Sequence, residues 1–155
     1  MVCLADGSIR GGVLFKDSKV KPMEIIGSSM KGSGAGKSVV IIDDSAVVRQ
    51  TVGHAFLDDG FRFFGEAQNG QEGIEVVKLL KPDLAILDLS MPVMNGLQAA
   101  PVLRKLFPSM PIILFSLHGD GPVRAEAVRV GVDAVISKSE DLPVLLDKAH
   151  ELLHI

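Results

Sequence analysis

A single cysteine, Cys3, is all the chain holds, so no disulfide closes within it and a reducing cytoplasm is the expected compartment. Long apolar runs are missing as well. None approaches the ~18 to 20 residues a membrane-crossing helix needs. Asp6 also falls where a secretory signal wants a basic start and an unbroken apolar core. We therefore expect neither a membrane span nor export. Basic charge is in short supply: 16 Lys and Arg against 19 Asp and Glu leave a net charge of −3. Direct nucleic-acid binding by this chain is not supported, because phosphate neutralisation needs clustered cations.

What remains is ordinary for a globular protein. The 155 residues are 47% hydrophobic and 23% charged, enough for one domain with a real core. Residues 1–37 differ from the rest, with recurrent Gly, Ser and Lys and no sustained period. They are expected to form a flexible N-terminal extension, in which Val13-Leu14-Phe15 could add an edge strand.

From Lys37 the apolar pattern switches regularly between strand and helix periods. Strands are predicted at 37–42, 61–67, 84–88, 111–115 and 133–137. Helices are predicted at 46–57, 71–80, after Gly96 to Leu106, 122–130 and 143–153. Asn69-Gly70 reads as a turn, Pro82 and Gly131 as stops, and Pro122 as a first-turn proline. Five strands alternating with five helices argue an α/β domain over 38–155, a parallel sheet with helices on both faces.

Five polar residues stand where the apolar runs end: Asp43 and Asp44, Asp88, Ser116 and Lys138. Ligands of parallel α/β sheets sit at the carboxyl ends of the strands. Three carboxylates brought together there repel one another, and a hard divalent cation such as Mg2+ relieves the conflict. Lys138 and Ser116 supply an ammonium and a hydroxyl for further anionic oxygens. Such a pocket suits a cation and a phosphoryl group.

The segments Ile41-Ile42-Asp43-Asp44-Ser45, Leu87-Asp88-Leu89-Ser90-Met91-Pro92-Val93-Met94-Asn95-Gly96, Leu114-Phe115-Ser116 and Ile136-Ser137-Lys138-Ser139 together resemble the receiver domains of two-component response regulators. The likeness runs from about Ser38 to Leu153. It implies a flavodoxin-like, doubly wound five-stranded sheet of order 2-1-3-4-5, an order for which a member of this family is a standard example. It implies Asp88 as phosphoacceptor, and Asp43 and Asp44 as magnesium-binding acids helped by the backbone carbonyl of Ser90. Ser116 and Lys138 would hold phosphoryl oxygens. The implied activity is self-phosphorylation and slow hydrolysis, not turnover of a metabolite. A sensor histidine kinase or histidine phosphotransfer protein is the implied donor. Homodimerisation is implied through the fourth-helix, fifth-strand and fifth-helix face. The receivers most similar precede helix-turn-helix modules in transcription regulators. With no such module after Leu153, a stand-alone receiver and a fragment of a longer regulator are both open.

Three residues depart from the family pattern. Val135 stands where Tyr or Phe is usual, which weakens an aromatic readout of phosphorylation. Leu117 replaces a small residue beside Ser116 and is expected to slow phosphate loss by hindering water. Pro101 is expected to delay or kink the third helix.

Other features have plainer accounts. Gly34-Ala35-Gly36-Lys37-Ser38 resembles a phosphate-binding loop, but Lys31 stands where glycine is needed and a strand follows instead of a helix. His150 and His154 are expected to be a surface pair, His118 to reach the pocket rim, and Arg49 to lie on a solvated helix face. Two rival functions stand beside this reading. An aspartate-nucleophile phosphatase needs an acid two residues after its nucleophile, where Ser90 and Ser45 stand instead. A degenerate receiver acting as a phosphate-independent binding module conflicts with intact Asp88, Asp44 and Lys138, although Val135 and Leu117 speak for it.

Overall fold

The computed structural model describes residues 36–155 and the backbone of three short strands, Val2–Cys3 (β1), Ile9–Arg10 (β2) and Val20–Pro22 (β3). From Ser38 onward strands and helices alternate. The elements are β4 Ser38–Ile42, α1 Ala46–Asp58, β5 Phe63–Ala67, α2 Gly70–Leu80, β6 Leu84–Leu87, α3 Gly96–Leu106, β7 Ile112–Ser116, α4 Gly121–Arg129, β8 Ala134–Ser137 and α5 Leu142–Leu153.

Strands β4 to β8 are parallel and lie in the order β5-β4-β6-β7-β8, the expected 2-1-3-4-5. The sheet has a sixth member. β3 runs antiparallel along the outer edge of β5, with Val20 opposite Gly65, while β1 and β2 pair separately. Val13-Leu14-Phe15 lies outside the described residues.

Side chains alternate across a strand, so each parallel strand feeds both faces of the sheet. Val40, Ile42, Leu87 and Leu114 pack on one face with Ile74 and Val77 of α2 and Ala99 and Leu103 of α3. Val39, Ile41, Ile86 and Ile113 pack on the other with Val52 and Phe56 of α1 and Leu145 and Ala149 of α5. Phe56 and Phe61 meet edge to face at 4.7 Å between centroids, an arrangement contributing about 1 kcal/mol beyond area burial.

Local chemistry sets the element ends. Gly70 opens α2 and does not belong to a preceding turn, because the Asn69 side chain accepts the Glu72 amide at 2.9 Å as an N-cap. α3 starts at Gly96, behind a reciprocal capping box between Asn95 and Gln98. The delayed start expected from Pro101 is therefore not seen. Pro101 sits inside α3 at an exposed position, and the Asn95–Gln98 capping box still sets the helix start ahead of it. Gly131 closes α4 with φ at +97°, a conformation open to glycine. At the amino end of the sheet, Asp83 accepts both the Ser38 amide at 2.9 Å and its hydroxyl at 3.0 Å, tying the starts of β4 and β6 together. Among the described residues, no helix is long and apolar enough to cross a membrane.

Candidate functional site

Register brings the polar residues together. Ile42 is level with Leu87 and Leu87 with Leu114, so Asp43 and Asp88 leave adjacent central strands side by side. Ser116 is level with Ser137, which places Lys138 one residue beyond the end of β8. The Lys138 amide then bonds the Ser116 carbonyl at 3.0 Å, and its side chain reaches Asp43 and Asp88.

Asp43 and Asp88 are buried, at 2% and 5% exposure, whereas Asp44 faces solvent. One oxygen from each of the three carboxylates lies within 4.8 Å of the others. Lys138 Nζ reaches between them, 2.5 Å from Asp43 Oδ2 and 3.3 Å from Asp88 Oδ1. Asp43 Oδ1 accepts the Ser45 amide at 2.8 Å. Ser45, and neither neighbouring aspartate, is the N-cap of α1.

The electrostatics follow from this arrangement. Burial holds the Asp88 carboxyl above its ordinary value of 3.8, and the neighbouring Asp43 charge adds to the rise while Lys138 opposes it. Burial works against the Lys138 ammonium, but its bonds to Asp43 and Asp88 outweigh that and raise its affinity for a proton. One cation against three carboxylates leaves the pocket with excess negative charge.

The other expected residues are placed differently. Ser116 is buried, and its hydroxyl accepts the His118 amide at 3.2 Å. Ser90 is exposed in the β6–α3 loop, and among the described residues no hydrogen bond ties it to the carboxylates. Leu117 is exposed by 67% beside Ser116, and Val135 is buried. Two readings need correction. Arg49 does not lie on a solvated face: its side chain is only 16% exposed, its Nη1 donates to the Asp43 carbonyl at 2.7 Å, and its Nε faces Glu66 Oε1 at 3.4 Å. His150 is not half of a surface histidine pair, since it meets Asp59 at the end of α1 at 2.5 Å.

Sequence reasoning missed Gly96 and Glu66. A Cβ at residue 96 would stand 2.3 Å from the Asp88 carbonyl oxygen, so only glycine fits against the carboxylate-bearing turn. Glu66 is an acid buried near the end of an apolar strand, and that incongruity was its signal.

Comparison with known proteins agrees with this geometry. The profile of the response regulator receiver domain matches residues 39–150. The chain is 38% identical over 103 residues to the chemotaxis protein CheY of Thermotoga maritima, covering 66% of this chain and 86% of that protein. It is 34% identical over 115 residues to the nitrate/nitrite response regulator protein NarL of Escherichia coli K12, covering 74% of this chain but only 53% of that protein. Among solved structures, the response regulator domain of Thermotoga maritima CheB superposes with a TM-score of 0.71 at 27% identity, covering 77% of this chain and 97% of that one. A CheY-like receiver domain protein from Methanospirillum hungatei, 24% identical, shares the fold with a TM-score of 0.72 over 76% of this chain and 94% of that one. By sequence and by fold, the chain belongs to the response regulator receiver domain family of two-component signalling, whose members are phosphorylation-dependent switches.

Proposed function

We propose that Asp88 is the phosphoacceptor of this receiver and that Asp43, Asp44 and Asp88 hold a Mg2+ ion, with the Ser90 carbonyl as a further oxygen ligand. The observation that carries this reading is the buried Asp43–Lys138–Asp88 bridge beside a third carboxylate. Oxygen donors of this charge and number fit a hard divalent cation. When bound, the ion neutralises charge on the carboxylates and on a transferring phosphoryl group.

The protein's own part is positioning and charge. A carboxylate oxygen of Asp88 attacks the phosphorus of a phosphohistidine or a small acyl phosphate. A P–O bond to Asp88 forms as the P–N or P–O bond to the donor breaks, and the donor leaves with that electron pair. Lys138 is close enough to Asp88 to take a phosphoryl oxygen, and Ser116 offers its hydroxyl to another. Hydrolysis of the acyl phosphate resets the switch, so turnover is confined to the protein's own phosphorylation and dephosphorylation.

On this reading residues 38–155 are the receiver and residues 1–37 an extension. The donor is a sensor histidine kinase or a histidine phosphotransfer protein in the cytoplasm. Self-association uses the α4–β8–α5 face.

A second reading, a degenerate receiver working as a binding module, draws on buried Val135 at the position of the family's aromatic. Intact-mass analysis after incubation with acetyl phosphate and Mg2+ separates the two. We expect a gain of one phosphoryl group, lost in Asp88→Ala and with chelator. Folded protein with no mass gain would leave the binding module standing.

A further inference from the structure

Asp43 is held at every polar atom. Its amide bonds the Ala67 carbonyl at 3.0 Å, Oδ1 takes the Ser45 amide at 2.8 Å, and Oδ2 takes Lys138 at 2.5 Å. Its carbonyl, the one group left over, points away from the ladder into α1, where Arg49 Nη1 donates to it at 2.7 Å. Among the described residues, no backbone amide takes that role.

Arg49 is itself fixed from below. Glu66, 7% exposed on β5, gives Oε1 to Gln50 Nε2 at 2.6 Å and faces Arg49 Nε at 3.4 Å. That Nε makes an ion pair but no well-formed hydrogen bond, so the guanidinium is anchored by charge beneath and by the Asp43 carbonyl above. Taking a buried guanidinium and carboxylate out of water is costly, and an apolar pair of similar volume would often serve stability as well or better. Something other than stability favours keeping the charges here. The feature they serve is the peptide after Asp43, whose plane aims the first two carboxylates of the pocket.

We infer that Arg49, held by Glu66, is a positioning residue that fixes the Asp43–Asp44 peptide and thereby sets the affinity of the carboxylate pocket for a divalent cation. The inference rests on the proposed Mg2+ site. Arg49 touches neither the cation nor the phosphoryl group; it acts through the backbone that carries their ligands. Partners that orient metal ligands from outside the coordination sphere typically govern affinity by about 10 to 100-fold.

The test is Mg2+ binding by the full chain, followed by titration calorimetry, since the protein has no Trp or Tyr to report by fluorescence. Arg49→Gln is one variant. Arg49→Gln combined with Glu66→Gln is the second, and it removes both charges so that no unpaired carboxylate endangers folding. We expect the double variant to fold, to bind Mg2+ about 10-fold more weakly, and to shift the Asp44 amide nitrogen resonance in metal-free protein. That nitrogen belongs to the peptide whose carbonyl Arg49 bonds. Unchanged affinity and an unmoved Asp44 resonance in a folded double variant would overturn the inference. No Mg2+ binding by the unaltered chain would overturn the proposed metal site and the inference with it.

Discussion

Gly96 and Asp88 are packed backbone to backbone: a methyl group on residue 96 would lie 2.3 Å from the Asp88 carbonyl oxygen. The contact joins the start of α3 to the turn that carries the carboxylate, and the Gly96 amide donates to Leu89 at 3.0 Å within the same loop. Gly96→Ala is expected to push the turn open at a cost of about 2 kcal/mol, and to slow phosphorylation by acetyl phosphate more than it lowers the unfolding midpoint. Denaturant unfolding and the rate of mass gain, measured on one preparation, check both effects.

Asp88 lies above its ordinary proton affinity because it is buried beside Asp43. The folded state therefore binds this proton more tightly than the unfolded state. Stability contributed by the neutral form is present below 3.8 and is lost as pH rises through the higher folded value. Asp88→Asn should escape that loss. In chelator, we expect the variant to gain on the unaltered chain as pH rises from about 4 to 7, with a higher thermal midpoint at neutral pH. Adding Mg2+ should narrow the gap. Thermal unfolding across this pH range tests the sign.

Lys138 is the cation between two buried carboxylates. Lys138→Met leaves them facing each other without it, and we expect a loss of about 3 kcal/mol at neutral pH in the absence of metal. Protonation of Asp88, whose carboxyl is already held above its ordinary value, should recover part of that loss at acid pH. The unaltered chain should behave oppositely at the alkaline end: the folded-state proton affinity of Lys138 is raised above 10.5, so its contribution persists below that value and disappears as pH climbs beyond it. Urea midpoints at acid, neutral and alkaline pH distinguish these arms.

Val93 occupies the left-handed region, with φ at 67°, and its side chain is 83% exposed in the β6–α3 loop. A β-branched residue is strained there and gains little from burial. Val93→Gly is expected to raise stability by about 1 kcal/mol, net of the extra freedom glycine has when unfolded. A lower midpoint in the variant would refute this.

Leu117 follows Ser116 and presents its side chain to solvent. If Asp88 carries the phosphoryl group as proposed, Leu117→Ala should shorten its lifetime severalfold by easing the approach of water. Decay of the phosphorylated mass after removal of donor gives the lifetime directly.

The pocket was legible in sequence because parallel strands end in register: a polar residue after each apolar run declares its own location, as Asp43, Asp88, Ser116 and Lys138 do. Arg49 was not legible. A long side chain can fold its stem over apolar surface and present its head to a carbonyl, and nothing in the helical period of α1 distinguishes that from solvation. His150 and Asp59 lie 91 residues apart, beyond any local pattern. β3 escaped notice because three residues carry no measurable alternation. A proline early in α3 argues locally for a late start, but the Asn95–Gln98 capping box satisfies the first-turn amides and fixes the start at Gly96.

If the pocket takes a cation and then a phosphoryl group as proposed, the lysine bridge also bears on their order. At rest the ammonium is committed mainly to Asp43 Oδ2, and the sister oxygen is committed to the Ser45 amide. A cation bound to Asp43 would compete with Lys138 for that oxygen, and the lysine already stands 3.3 Å from Asp88 Oδ1. On the proposed reading, a cation in the pocket would free the charge that a phosphoryl group on Asp88 would need, a charge that the resting protein holds on Asp43.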